Sequence, residues 1–169
     1  MDLRKYIRDV LDFKPGITFF DITPLLADPA AFRYVIDALA ERYKDSGTTK
    51  IVAAEARGFL FGAPLAYKLN VGFIPVRKPG KLPYKTTTVT YDLEYGTDSL
   101  QMHVDAVKPG DRVLIIDDLL ATGGTTGGMI QLVKNAGGEV AGIGFLLELG
   151  FLDGSSKLEG IPHEYLLKL

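Results

Sequence analysis

Two adjacent carboxylates, Asp117 and Asp118, stand just before Ala121-Thr122-Gly123-Gly124-Thr125, and this pairing is the part of the chain that offers chemistry. An apolar run from Val113 to Ile116 precedes them and reads as a buried strand. A helix-like segment follows at Met129–Ala136. Strand, small-residue loop and helix start together make an anion site, because loop N–H groups point inward and the helix N-terminus adds partial positive charge. Gly123 and Gly124 allow the backbone to approach a phosphate, and Thr122, Thr125 and Thr126 supply hydroxyl donors. A Walker loop requires a lysine after its last glycine, and a dinucleotide loop requires GxGxxG; neither occurs here. Paired carboxylates beside a phosphate loop suit a sugar phosphate instead. The carboxylates accept hydrogen bonds from a vicinal diol while the loop holds the phosphate. A capped glycine-rich turn is the bland alternative, and the carboxylate pair with three threonines weighs against it.

The elements that must hold these residues read as a doubly wound α/β fold. Residues 2–11 have Leu3, Ile7, Val10 and Leu11 on one helical face and predict a short helix. Ile17–Asp21 is extended or looped. Asp28-Pro29 starts a helix that runs to about Lys44, with Phe32, Val35, Ile36, Leu39 and Tyr43 inward. Lys50–Ala54, Gly58–Leu69 and Val71–Val76 read as strand, helix and strand, a βαβ unit that implies a parallel sheet. Residues 77–87 read as a mobile loop. Thr88–Tyr95 and Leu100–Val104 predict a hairpin about Gly96-Thr97-Asp98. Glu139–Leu147 is a further strand and Glu164–Leu169 an edge strand.

At 169 residues, 47% hydrophobic and 24% charged, the chain is expected to be one domain with a proper core. A net charge of −2 gives no global attraction to nucleic acid or to an anionic membrane. The absence of cysteine excludes disulfides, thiol nucleophiles and thiolate metal sites, and His103 and His163 are too few for a typical histidine zinc site. The charged N-terminus is no signal peptide, so a cytoplasmic location is expected.

Five stretches resemble the type I phosphoribosyltransferases, in family order: PGITFFDIT at 15–23, EARGFLFGAPLA at 55–66, PVRKPGKLP at 75–83, YDLEYGTD at 91–98 and VLIIDDLLATGGTT at 113–126. Within the family they look like the adenine-specific members. The resemblance implies a small N-terminal hood at about 1–30 over a core at about 31–169, a magnesium requirement met mainly through substrate and water, and a homodimer. It implies that phosphoribosyl pyrophosphate is held by Asp117, Asp118, Ala121, Thr122, Gly123, Gly124 and Thr125. Arg57, beside Gly58 at a strand end, would grip pyrophosphate through its planar guanidinium. A non-proline cis peptide is implied between Glu55 and Ala56. Arg77, Lys78 and Lys81, in a cluster that also holds Lys85, would steer substrate in and stabilise departing pyrophosphate.

Phe19 would stack on the base while backbone groups of Thr18 and Phe20 read its edge. Phe20 stands where the family commonly has arginine, so any role of that side chain is lost here. Glu94 would take the proton that the base loses, with Tyr95 either positioning the lid formed by the basic loop or orienting Glu94. Two rivals accompany this reading. One is a relative that takes an oxopurine, which would place a lysine on the base; Lys157 and Lys168 are its C-terminal candidates. The other is a non-catalytic regulator that senses phosphoribosyl pyrophosphate.

Overall fold

A computed structural model describes residues 1–92, 96–158 and 160–169. A single 3-10 turn at Leu3–Tyr6 leads into strand β1 (Arg8–Lys14), which pairs antiparallel with β2 (Ile17–Asp21). Helices α1 (Thr23–Ala27) and α2 (Pro29–Tyr43) follow, then β3 (Lys50–Ala54), α3 (Arg57–Leu69) and β4 (Gly72–Val76). Strands β5 (Thr86–Asp92) and β6 (Thr97–His103) form an antiparallel pair. The chain ends with β7 (Arg112–Leu120), α4 (Gly124–Asn135), β8 (Glu139–Glu148), two 3-10 turns within 150–158, and β9 (His163–Lys168).

Five parallel strands make the central sheet in the order β4-β3-β7-β8-β9. Strand order therefore reverses between β3 and β7, and the crevice beyond their carboxyl ends is where such sheets bind ligands. Alternate residues of the buried strands feed two cores. Ile51, Leu114 and Ile116 pack under α1, α2 and α3, while Val52, Val113 and Ile115 pack under α4 and the β5–β6 pair. Helices on both faces, as predicted, leave β9 and β4 at the two edges. No described helix is long and apolar enough to cross a membrane.

Three expectations are corrected. Residues 2–11 are not a helix: Asp2 caps one 3-10 turn, and the chain then turns into β1, where Val10 pairs with Phe19. Leu3 and Ile7 are buried as their spacing suggested, yet pairing with a distant strand overrides the local period. Secondly, the buried strand does not stop at Ile116 but runs through Leu120, so both carboxylates belong to the strand itself. Thirdly, the helix after the motif starts at Gly124, five positions before Met129. Glycine and threonine are poor helix formers, which hid its first turn. The hairpin strands begin two and three residues earlier than predicted, at Thr86 and Thr97, and the second ends one residue earlier, at His103; the predicted end of the first lies outside the described residues.

Tyr43 ties α2 to the sheet, its buried hydroxyl donating to the Ile143 carbonyl at 2.7 Å. Tyr43→Phe removes that bond while keeping the ring, and should cost about 1 kcal/mol. The expected drop in melting temperature is about 2–4 °C, read by calorimetry.

Candidate active site

Two helices begin at the switch point, and neither has a side-chain cap. α3 starts at Arg57 after Ala56, and α4 starts at Gly124 after Gly123. Within α4 the first N–H to reach a carbonyl is that of Gly127, which donates to Gly123 at 2.9 Å. The N–H groups of Gly124, Thr125 and Thr126 precede it and are the donors that a helix cannot use internally. Gly123 lies in the left-handed region at φ 83°, the conformation that turns the chain sharply from strand to helix. A cavity of about 260 Å³ opens between the two helix starts. Its walls are Glu55, Ala56, Arg57, Asp117, Asp118, Leu119 and the run 121–126. The non-proline cis bond between Glu55 and Ala56 lies in this wall, as the family pattern implied.

Asp117 and Asp118 are buried, with 9% and 4% of the residue exposed. The Asp118 N–H donates to Asp117 Oδ1 at 2.9 Å. Burial first, and then the neighbouring Asp118 charge, push the Asp117 carboxyl well above the usual carboxylate range. Asp118 is also raised by burial, with Arg57 opposing the rise. Arg57 Nε lies 2.9 Å from Asp118 Oδ2, an ion pair in distance. Its angle is not that of a hydrogen bond, so this oxygen has charge compensation but no donor. The same guanidinium sits over the Phe19 ring, 5.2 Å from its centroid.

The candidates thus fall into groups. Arg57, Asp117, Asp118, Ala121, Thr122, Gly123, Gly124 and Thr125 line one cavity. Phe19 reaches it through Arg57 and is flanked by Phe13 at 5.0 Å. Phe20, next along β2, points the opposite way and packs on the core with α1 and α2. Thr18 lies opposite a register shift between Val10 and Lys14. Arg77 and Lys78 are not in the cavity wall but are tied to it. Glu55 Oε1 accepts from Arg77 Nε at 3.1 Å and from the Lys78 N–H at 2.8 Å. Lys81 is exposed on the loop beyond. Glu94 and Tyr95 lie outside the described residues.

The residue of the cavity wall that sequence reasoning passed over is Leu119, with Gly154 behind the wall. Leu119 sits beside the carboxylates in the strand, a signal lost once the strand was ended at Ile116. Gly154 gave no signal, because its neighbour is remote in the chain: a Cβ there would come within 2.2 Å of the Ala121 carbonyl.

This geometry has relatives. Residues 21–159 match the profile described as the phosphoribosyl transferase domain. The chain belongs to the phosphoribosyltransferase family. Among phosphoribosyltransferases it is 65% identical to the adenine phosphoribosyltransferase of Maridesulfovibrio salexigens, over the full length of both chains. A crystal structure of the adenine phosphoribosyltransferase from Thermoanaerobacter pseudethanolicus superposes with a TM-score of 0.96 at 55% identity, covering 99% of this chain and 98% of that one. The Saccharomyces cerevisiae adenine phosphoribosyltransferase, solved with D-2,5-dideoxy-2,5-imino-altritol 1,6-bisphosphate and adenine, gives 0.91 at 39% identity, covering 98% and 96%.

Two outcomes follow from the site's packing. A carboxyl whose folded pKa is raised favours the folded state below its unfolded pKa and loses that contribution as pH rises through the folded value. Asp117→Asn should therefore melt higher than the parent at pH 8, with the difference shrinking toward pH 4. Its turnover should fall at least about tenfold, the worth of one hydrogen bond to a charged acceptor. Gly154→Ala should displace the Ala121 carbonyl and raise KM for phosphoribosyl pyrophosphate at least about fivefold, since overpacking of this kind costs about 1–3 kcal/mol. Steady-state kinetics with thermal melts check both variants.

Proposed function

We infer that the chain is a purine salvage enzyme: it transfers the 5-phosphoribosyl group from phosphoribosyl pyrophosphate to adenine, giving AMP and pyrophosphate. The observation that carries this reading is a single cavity walled by a buried carboxylate pair and an uncapped helix start, in a chain whose full-length relatives are adenine phosphoribosyltransferases. The 5-phosphate takes the N–H groups of Gly124, Thr125 and Thr126 and the hydroxyls of Thr122 and Thr125. Asp117 and Asp118 accept from the ribose hydroxyls, and the ring is thereby held at a fixed height above the sheet. Arg57 spends only Nε on Asp118, so its remaining guanidinium N–H groups can take pyrophosphate. A purine stacked on Phe19 takes the ring face that Arg57 covers.

Transfer breaks the bond from the anomeric carbon to pyrophosphate and forms one to the imidazole nitrogen of adenine, with inversion. Glu94 accepts the proton that this nitrogen gives up, and Tyr95 orients it. Arg57, with Arg77, Lys78 and Lys81 from the neighbouring loop, spreads the charge of the leaving pyrophosphate. A magnesium ion would be held mainly by substrate oxygens and water, since hard oxygen ligands suit it and it needs few from the protein. When bound, magnesium neutralises pyrophosphate charge. Leu60 and Tyr67, seven residues apart on α3 and exposed, support a face shared by two copies in a homodimer.

A relative that takes an oxopurine would need a lysine on the base, and neither C-terminal candidate supports one. Lys168 Nζ lies 3.1 Å from Glu148 Oε2, and the Lys157 stem packs beside Gly123, outside the cavity wall.

The test is pyrophosphate release from phosphoribosyl pyrophosphate and magnesium with adenine, hypoxanthine, guanine or xanthine in turn. Release with adenine alone is expected. Release with an oxopurine instead would sink the base assignment, and tight substrate binding without any release would favour a sensor. Glu94→Gln should lose about 10²–10⁴-fold in turnover with adenine, the usual worth of a general base, with KM little changed.

A further inference from the structure

Four side chains form a chain of contacts from the phosphate loop to the basic loop, and its two middle members have no place in the reading above. Thr125 Oγ1, in the first turn of α4, lies 3.5 Å from the Tyr91 hydroxyl. That hydroxyl donates to Asp98 Oδ2 at 3.4 Å. The same oxygen receives the Lys78 ammonium, while Asp98 Oδ1 accepts the Ser99 N–H at 2.8 Å. Tyr91 and Asp98 are cross-strand partners in β5 and β6. The Tyr91 ring is seated on the glycine face of α4, so close that a Cβ on Gly128 would come within 3.1 Å of it. Backbone bonds fasten the far end. Arg77 N–H donates to the Gln101 carbonyl at 3.0 Å, and Gln101 N–H returns to Arg77 at 2.7 Å. Lys78 is thus rooted against β6 with only its side chain able to swing.

Both ends of this chain are groups that substrate must take, and both are occupied before it arrives. We propose that Asp98 is a positioning residue that parks Lys78 on the hairpin and competes with pyrophosphate for its ammonium, with Tyr91 standing ready to satisfy the carboxylate once Lys78 leaves. This rests on the reading of Lys78 as a pyrophosphate ligand. The pair is partly exposed, at 40% and 33% for the two side chains, so it is of the weak class that a trianionic or tetra-anionic ligand can break. Any affinity for pyrophosphate is lowered by the fraction of protein in which Lys78 is parked. The arrangement holds the cation near the cavity in register with β6, and still lets the product go.

The signs of the variants differ, and that makes the proposal testable by calorimetric titration with magnesium pyrophosphate. Asp98→Asn frees Lys78 and should tighten binding by about 1.4- to fivefold, the range of exposed ion pairs. Tyr91→Phe removes the substitute donor and keeps the ring on α4, so Lys78 is held harder and binding should weaken about twofold. Lys78→Met should weaken binding, and adding Asp98→Asn to it should change nothing further. If Lys78→Met weakens binding but Asp98→Asn leaves it unchanged or weaker, parking is overturned and the role of Lys78 stands. If Lys78→Met binds as the parent does, Lys78 is no pyrophosphate ligand and both fall. Should Asp98→Asn fail to fold, Tyr91→Phe decides alone: unchanged or tighter binding overturns the proposal.

Discussion

Two carboxylates buried side by side are costly, and the rest of the site is arranged around that cost. Burial raises the pKa of both, and the Asp118 charge raises that of Asp117 further. What compensates them is positive potential from close by: the Arg57 guanidinium and the uncapped starts of α3 and α4. All of these come from segments that leave β3 and β7, the neighbours between which the strand order turns. Had either helix carried an aspartate or serine cap, its free N–H groups would have been spent within the protein, and the phosphate would have met a neutralised end. The absence of caps is therefore the feature that a polyanionic substrate exploits.

The same economy explains the backing of the loop. The run 121–123 rests against the turns at 150–158, which set its shape from behind. Glu148 fixes those turns, with Oε1 accepting from the Ser155 hydroxyl at 2.5 Å and Oε2 lying 3.1 Å from Lys168 Nζ. The C-terminal strand thus helps to shape the loop without a residue in the cavity.

Much of this was legible in the residues, because the informative signals were local. The carboxylate pair, the glycines and the threonines are contiguous, and their order alone implies an anion site at a helix start. The βαβ unit over 50–76 was equally plain, since buried parallel strands are short apolar runs between clear breakers. Failures came where a distant partner decided the outcome. Residues 8–14 are a strand because residues 17–21 pair with them, whatever helical period they display. The first turn of α4 is helical despite its glycines, because Thr126 and Met129 are buried against the sheet. The parking of Lys78 joins residues from β5, β6, α4 and the basic loop, so no window of sequence could contain it.

Arg57 occupies a position with a kinetic consequence. Its guanidinium spans Asp118 and the face of Phe19, so one cation lies across both the sugar site and the base site. While it lies there, that face of the Phe19 ring is covered. On the roles proposed above for Arg57 and Phe19, pyrophosphate on the sugar would draw the cation off, so the phosphoribosyl donor would enter first and the base would follow onto a newly bared ring.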